Sequence, residues 1–140
     1  MVRKAWLPLW LLLSAPLLLG MGFGDSQGPT RIPEPQANYR VVLVDQEGAR
    51  VELTDFSVDG QAFVMGGLGQ GQVAVPLEKV KAVDIVNQGG RLKARISLAQ
   101  GEPVELDLNG DLKATGRTSY GNFRISLSEV RRVEVKELVR

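Results

Sequence analysis

Residues 71 to 85, GQVAVPLEKVKAVDI, lie over residues 121 to 135, GNFRISLSEVRRVEV, at a constant offset of 50. Gly71 and Gly121, Leu77 and Leu127, Val80 and Val130, and Val83 and Val133 are identical, and Val73, Val75 and Ile85 meet Phe123, Ile125 and Val135. The front of each half aligns at an offset of 53: Gly48 with Gly101, Val51-Glu52-Leu53 with Val104-Glu105-Leu106, and Leu43 with Ile96. The second copy is therefore three residues shorter in its middle. Self-similarity that keeps apolar phase throughout constrains the chain to two versions of one structural unit. Copy one is read as residues 39–86 and copy two as residues 91–137.

Within each copy the apolar residues recur every second position. Val51 and Leu53 alternate with Glu52 and Thr54; Val104, Leu106 and Leu108 with Glu105 and Asp107; Phe123, Ile125 and Leu127 with Arg124 and Ser126. Such alternation marks half-buried antiparallel strands. The 16 valines after residue 24 support strand, and no window keeps a 3.6-residue apolar stripe. Glycine-containing turn signals at 48, 59–60, 66–71, 89–90, 101, 109–110 and 121 punctuate the pattern. Each copy reads as a hairpin (40–45 with 50–53; 94–98 with 103–108), a third strand (61–65; 112–117), a fourth (72–76; 122–126) and a fifth (81–86; 131–136). Before the fifth strand, Leu77-Glu78-Lys79-Val80 and Leu127-Ser128-Glu129-Val130 set their apolar ends three apart, the spacing of one 3₁₀ turn.

The expected fold class is thus all-β, with internally duplicated antiparallel units. Five short strands with a 3₁₀ turn before the last resemble an SH3-like or Sm-like small barrel, so the choice lies between two such barrels and one fused barrel or sandwich. The run from Gly116 to Val133, Gly-x-Thr-x-Tyr-Gly followed by alternating apolar residues and Val-x-x-Val, resembles a motif of exported bacterial β-modules of uncharacterised function. The resemblance implies fold and compartment, and it carries no catalytic residue. In copy one, Gly69-Gln70-Gly71 stands where copy two has Ser119-Tyr120-Gly121.

A unit of about 45 to 50 residues is near the size below which domains need staples. The chain has no Cys and no His, hence no disulfide. Two copies sharing one core, with 87–90 as a hairpin turn, is the expected solution. The same absences remove thiolate and imidazole nucleophile systems and the usual zinc ligands, so no catalytic residue, metal site or cofactor is assigned.

Ahead of the repeat, Arg3 and Lys4 precede a stretch from Ala5 to Leu19 that is apolar apart from Ser14 and the prolines Pro8 and Pro16. This is the layout of a secretory signal peptide over residues 1–24, with an uncleaved anchor as the alternative. Without Arg3 and Lys4 the chain holds 15 Lys and Arg against 16 Asp and Glu, a net charge of −1. Residues 25–38, with Pro29, Pro33 and Pro35 among polar side chains, read as an extended linker. The expected location is exported, periplasmic or secreted, with the membrane touched only through an uncleaved N-terminal segment.

Candidate sites are few. The glycine cluster 66–71 lacks the Lys-Ser/Thr of a phosphate loop and leads into a strand, so a flexible hairpin loop is expected. Asp107-Leu108-Asn109-Gly110-Asp111 puts its Gly fourth where an EF-hand needs it sixth, and reads as a β-turn. Glu52 and Glu105 occupy equivalent outward positions, as on a solvated strand face. Arg91, Lys93 and Arg95 alternate along one face of a strand, but a near-neutral charge with few aromatics argues against nucleic acid. Tyr120, at the tip of its turn, is the best aromatic candidate for binding.

The expected function is an exported, non-enzymatic β-module that binds a protein or an envelope polymer, with Tyr120, Arg91, Lys93 and Arg95 as the binding residues. The alternatives are a hydrolase of envelope glycans working through Glu52 and Glu105, and a structural spacer without a ligand.

Overall fold

The computed structural model describes residues 31–139; the leader and the first part of the linker lie outside the described residues. The chain is all-β. Its strands are β1 (Tyr39–Asp45), β2 (Arg50–Val58), β3 (Phe63–Leu68), β4 (Gly71–Pro76), β5 (Val80–Gln88), β6 (Arg91–Leu98), β7 (Val104–Leu108), β8 (Lys113–Arg117), β9 (Asn122–Ser126) and β10 (Val130–Leu138). Leu77–Lys79 and Leu127–Glu129 form single 3₁₀ turns before β5 and β10, where the three-residue spacing put them.

All strands join one antiparallel sheet in the order β4-β3-β7-β6-β5-β10-β1-β2-β8-β9. Replacing each strand by the one five places away in the chain turns this order into its own reverse. The pseudo-axis lies between β5 and β10, where Val83 pairs with Val133, the residue 50 positions on. Backbone hydrogen bonds repeat across the axis. Leu77 N–H donates to Ala62 O at 3.0 Å and Leu127 N–H to Leu112 O at 2.9 Å; Ala99 N–H donates to Lys79 O and Gln46 N–H to Glu129 O, both at 2.9 Å.

The copies are not self-contained, which corrects the simple reading of five consecutive strands per unit. Strand β2 pairs with β8, not β3, and β3 pairs with β7. Two glycines allow the approach. A Cβ on Gly66 would lie 2.7 Å from Leu106 Cβ, and one on Gly116 would lie 2.8 Å from Leu53 Cβ. Any side chain at either position would have to displace a buried leucine, because real Cβ contacts are not that short. Gly66 also explains why the expected loop over 66–71 is mostly strand. Residues 66 to 68 belong to β3 and Gly71 opens β4, leaving a two-residue turn at Gly69-Gln70, with φ +61° at Gly69. The third strand of copy one accordingly sits two to three residues later than the alternation placed it.

The extra three residues of copy one are spent in β2, nine residues long against five for β7. Between Thr54, opposite Arg117, and Ser57, opposite Thr115, β2 carries one residue more than β8. Asp55 takes a left-handed conformation there, φ 51°, and Phe56 turns into the core, 1% exposed. A bulge bends the strand and re-aims its side chains. Behind it Ser57 and Thr115 share a buried hydroxyl hydrogen bond of 2.9 Å, which satisfies two polar groups that would be costly alone. Residues 31–38, the end of the expected linker, lie against this region. Pro33 packs on Gly60, Asn38 Oδ1 accepts the Asp55 N–H at 2.7 Å, and Glu34 pairs with Arg117 at 3.3 Å.

The apolar faces close on a single cluster. It draws Val41 and Leu43 from β1, Leu53 and Phe56 from β2, Val64, Val83, Ile96, Leu106 and Ala114 from the next strands, and Leu77 and Leu127 from the 3₁₀ turns. One shared core should unfold once: calorimetry of residues 25–140 is expected to show a single transition, and two would contradict it. Gly116→Val should cost about 1–3 kcal/mol in denaturant unfolding by overpacking against Leu53. Gly71→Ala, whose Cβ would have only Leu68 O nearby at 3.8 Å, should leave the midpoint nearly unchanged.

Candidate functional site

Tyr120 stands at the end of the β8–β9 hairpin with 86% of its surface exposed. Its backbone is held while its ring is free. Thr118 is the clamp: its N–H and its hydroxyl both donate to Gly121 O at 2.7 Å, and its Oγ1 accepts the Tyr120 N–H at 3.1 Å. Threonine hydroxyls close turns in this way when they sit two residues before the residue they bond. The ring therefore does not fold back over the core rim.

A groove of about 350 Å³ runs from Tyr120 and Ser119 along β8 and β2 to Arg50, with Arg40, Glu52 and Arg117 on its walls. Three guanidiniums face one carboxylate. Two of them are occupied: Arg40 pairs with Glu52 at 3.6 Å and Glu137 at 3.3 Å, and Arg117 with Asp55 at 2.9 Å and Glu34 at 3.3 Å. The Arg50 side chain makes no ion pair or hydrogen bond among the described residues. The groove thus offers an anion a cation that has no competing partner among the described residues, beside an aromatic face and the Ser119 hydroxyl. Tyr120 and Glu52 were sequence candidates, but Arg50 was passed over because it lies 70 positions from Tyr120; only the β2–β8 pairing joins them.

Arg91, Lys93 and Arg95 share one face of β6, as their alternation indicated, but they do not meet Tyr120. Strands β5, β10, β1 and β2 lie between β6 and β8. Their partners are on the neighbouring strand. Lys93 Nζ is 2.9 Å from Asp107 Oδ1, Arg91 is 3.9 Å from the same carboxylate, and Arg95 is 3.4 Å from Glu105. The ladder continues across the pseudo-axis, where Arg132 Nη1 reaches both oxygens of Asp84 at 2.6 and 2.8 Å. That hydrogen bond holds the Arg132 guanidinium still further above its ordinary pKa. Opposite charges on adjacent strands stabilise a sheet modestly and keep its outer face wetted.

The remaining sequence candidates are dispersed. Glu52 on β2 and Glu105 on β7 are five strand spacings apart, about 24 Å along the sheet at ~4.8 Å per strand, and each faces an arginine. Asn109 Oδ1 accepts the Asp111 N–H at 2.9 Å, and Leu112 N–H donates to Asn109 O, so that segment is a turn. Asp107, the first residue of the same run, is engaged by Lys93.

The Lys93 hydrogen bond, with the positive charges of Lys93 and Arg91, lowers the Asp107 pKa. A carboxylate depressed in the folded state stabilises at pH values above its unfolded pKa, about 3.9, and that contribution disappears as pH falls through the folded value. The difference in urea midpoint between the wild type and Asp107→Asn should therefore be largest near pH 6 and shrink below about pH 4. A difference independent of pH would show that the ion pair is not its source.

Residues 35–137, from just before β1 to the penultimate residue of β10, match the model of a protein family described as "Uncharacterised protein". A protein of Aquifex aeolicus (strain VF5), described as "Uncharacterized protein", is 20% identical over 106 residues, covering 75% of this chain and 80% of its own length. No solved structure matches the chain. The chain belongs to that uncharacterised family, and the matched span is the ten-stranded sheet together with the few residues that lead into it.

Proposed function

We propose that the protein is an exported, non-enzymatic binding module that takes an anionic group of a partner protein or envelope polymer in the groove between Tyr120 and Arg50. The observation that carries this reading is the exposed Tyr120 ring, held on a hydrogen-bonded turn beside an arginine whose side chain has no partner among the described residues. An aromatic fixed in solvent gains little for the fold and much for an interface, where Tyr and Arg dominate binding energy. Export is supported by Arg3 and Lys4 ahead of the apolar stretch 5–19. The hydrolase alternative loses its support in the separation of Glu52 from Glu105, since glycosidase carboxylates work at ~5 to 9.5 Å.

The scaffold of this module is a duplicated SH3-like unit whose copies have exchanged strands. Two sets, β5-β6-β7-β3-β4 and β10-β1-β2-β8-β9, each have the order fifth, first, second, third, fourth, with the 3₁₀ turn before the fifth. Each set takes its first two strands from one copy and its last three from the other. Strand exchange of this kind is a common route from a single unit to a paired one.

Photo-crosslinking through residue 120 in envelope extracts should capture a specific partner, and Arg50→Ala should reduce the yield severalfold. Tyr120→Ala should abolish retention of that partner yet shift stability by less than about 0.5 kcal/mol, as expected for an exposed side chain. Capture no greater than that through a residue on the opposite edge would count against the groove.

A further inference from the structure

The two ends of the sheet are equivalent by the pseudo-axis and different in chemistry. Strand β9, at one end, carries Arg124, with Lys113 and Arg117 on its neighbour β8, and residues 31–38 pack close by through Pro33 and Glu34. Charges on an edge strand are the usual protection against further pairing. Strand β4, at the other end, is Gly-Gln-Val-Ala-Val-Pro and has no charged residue. Its neighbour β3 adds Met65, 39% exposed, and Leu68, 54% exposed, two of the five large apolar side chains that the described residues leave in solvent.

Among the described residues β4 has no neighbour on its outer side, and its unpaired hydrogen-bonding groups can be identified. The pair closing a two-residue hairpin turn is hydrogen-bonded, here Leu68 with Gly71, and the alternation then points the N–H and C=O of Gly71, Val73 and Val75 toward β3. Those of Gln72 and Ala74 point away from the sheet. Pro76 follows in the same phase and has no N–H to leave unpaired.

We propose that β4 is the contact strand of a two-fold homodimer, pairing antiparallel with β4 of a second copy about Val73. In that register the N–H and C=O of Gln72 meet the C=O and N–H of Ala74 of the second copy. Four hydrogen bonds form, and every outward group of these two residues is satisfied. Val73 faces its own image at a non-hydrogen-bonded position. The strand is self-complementary and uncharged, so a second copy meets no repulsion. Pairing β4 with β9 instead would be head-to-tail and would leave a free edge at each end, the geometry of fibres rather than of closed assemblies. This inference concerns the end of the sheet remote from Tyr120 and does not rest on the proposed groove.

Because the chain has no cysteine, one substitution reports the register. Facing residues at a non-hydrogen-bonded antiparallel position have Cβ atoms ~4.5–5.5 Å apart, close enough for a disulfide after small adjustment. The full chain bearing Val73→Cys should form a covalent dimer under mild oxidation, and Phe123→Cys, the equivalent position on β9, should not. In sedimentation equilibrium the wild type should be a concentration-dependent dimer, and Ala74→Lys should weaken it about tenfold or more by placing two charges at the seam. Its unfolding midpoint, measured at a dilution where both proteins are monomeric, should match the wild type. A wild type that stays monomeric at high concentration, a dimer indifferent to Ala74→Lys, or equal crosslinking at 73 and 123 would overturn the proposal.

Discussion

The close approach of two glycines to two leucines governs this structure. Where Gly116 of β8 meets Leu53 of β2, and Gly66 of β3 meets Leu106 of β7, backbones come nearer than any side chain would permit. These two contacts sit where strands from different halves of the sequence become neighbours. They make the two halves of the sequence interdependent: removing either half would leave β5 or β10 with no partner strand and strip one neighbour from three others. In a fold with no disulfide, cohesion has to come from such packing. The single apolar cluster that spans nine strands and both 3₁₀ turns is its consequence.

Symmetry of strands has not imposed symmetry of surface. Two of the backbone hydrogen bonds that attach each 3₁₀ turn to the sheet recur at the other turn. The three additional residues of β2 break the equivalence. They create the bulge at Asp55, bring Phe56 inward, and give Arg117 an acidic partner at 2.9 Å. Residues 31–38 then find something to bind, through Asn38 and Glu34. At the opposite end β7 has no bulge, and the equivalent of Arg117 is Gly67, beside Asp107. One end becomes a cationic groove with an exposed tyrosine, the other an uncharged edge.

Much of the local structure was legible in the residues. The alternation of Val104, Leu106 and Leu108 or of Phe123 and Ile125 places strands because a half-buried sheet requires that period and few other structures tolerate it. Leu77 and Leu127 marked the 3₁₀ turns by a spacing of three. The cluster 66–71 misled, since glycine signals both a turn and a close backbone approach, and only the position of Leu106 separates the two meanings. Residues 31–38 looked like tether because their contacts, Asn38 to Asp55, Glu34 to Arg117 and Pro33 to Gly60, are scattered single contacts that leave no periodic trace.

The sequence by itself determined the class of the fold, the number and phase of its strands and the shared apolar pattern of its two similar segments. All of these follow from interactions between residues close in the chain, or from a repeat visible by comparison. The partners of β2 and β7 were decided only by tertiary structure. Leu53 and Leu106 occupy matching positions, and so do Gly66 and Gly116, so each leucine strand fits either glycine strand equally well on local grounds. The connections between them, and the single core they share, tip the choice toward β2 with β8 and β3 with β7. Tyr120 and Arg50 lie on one groove for the same reason: β2 crossed to β8.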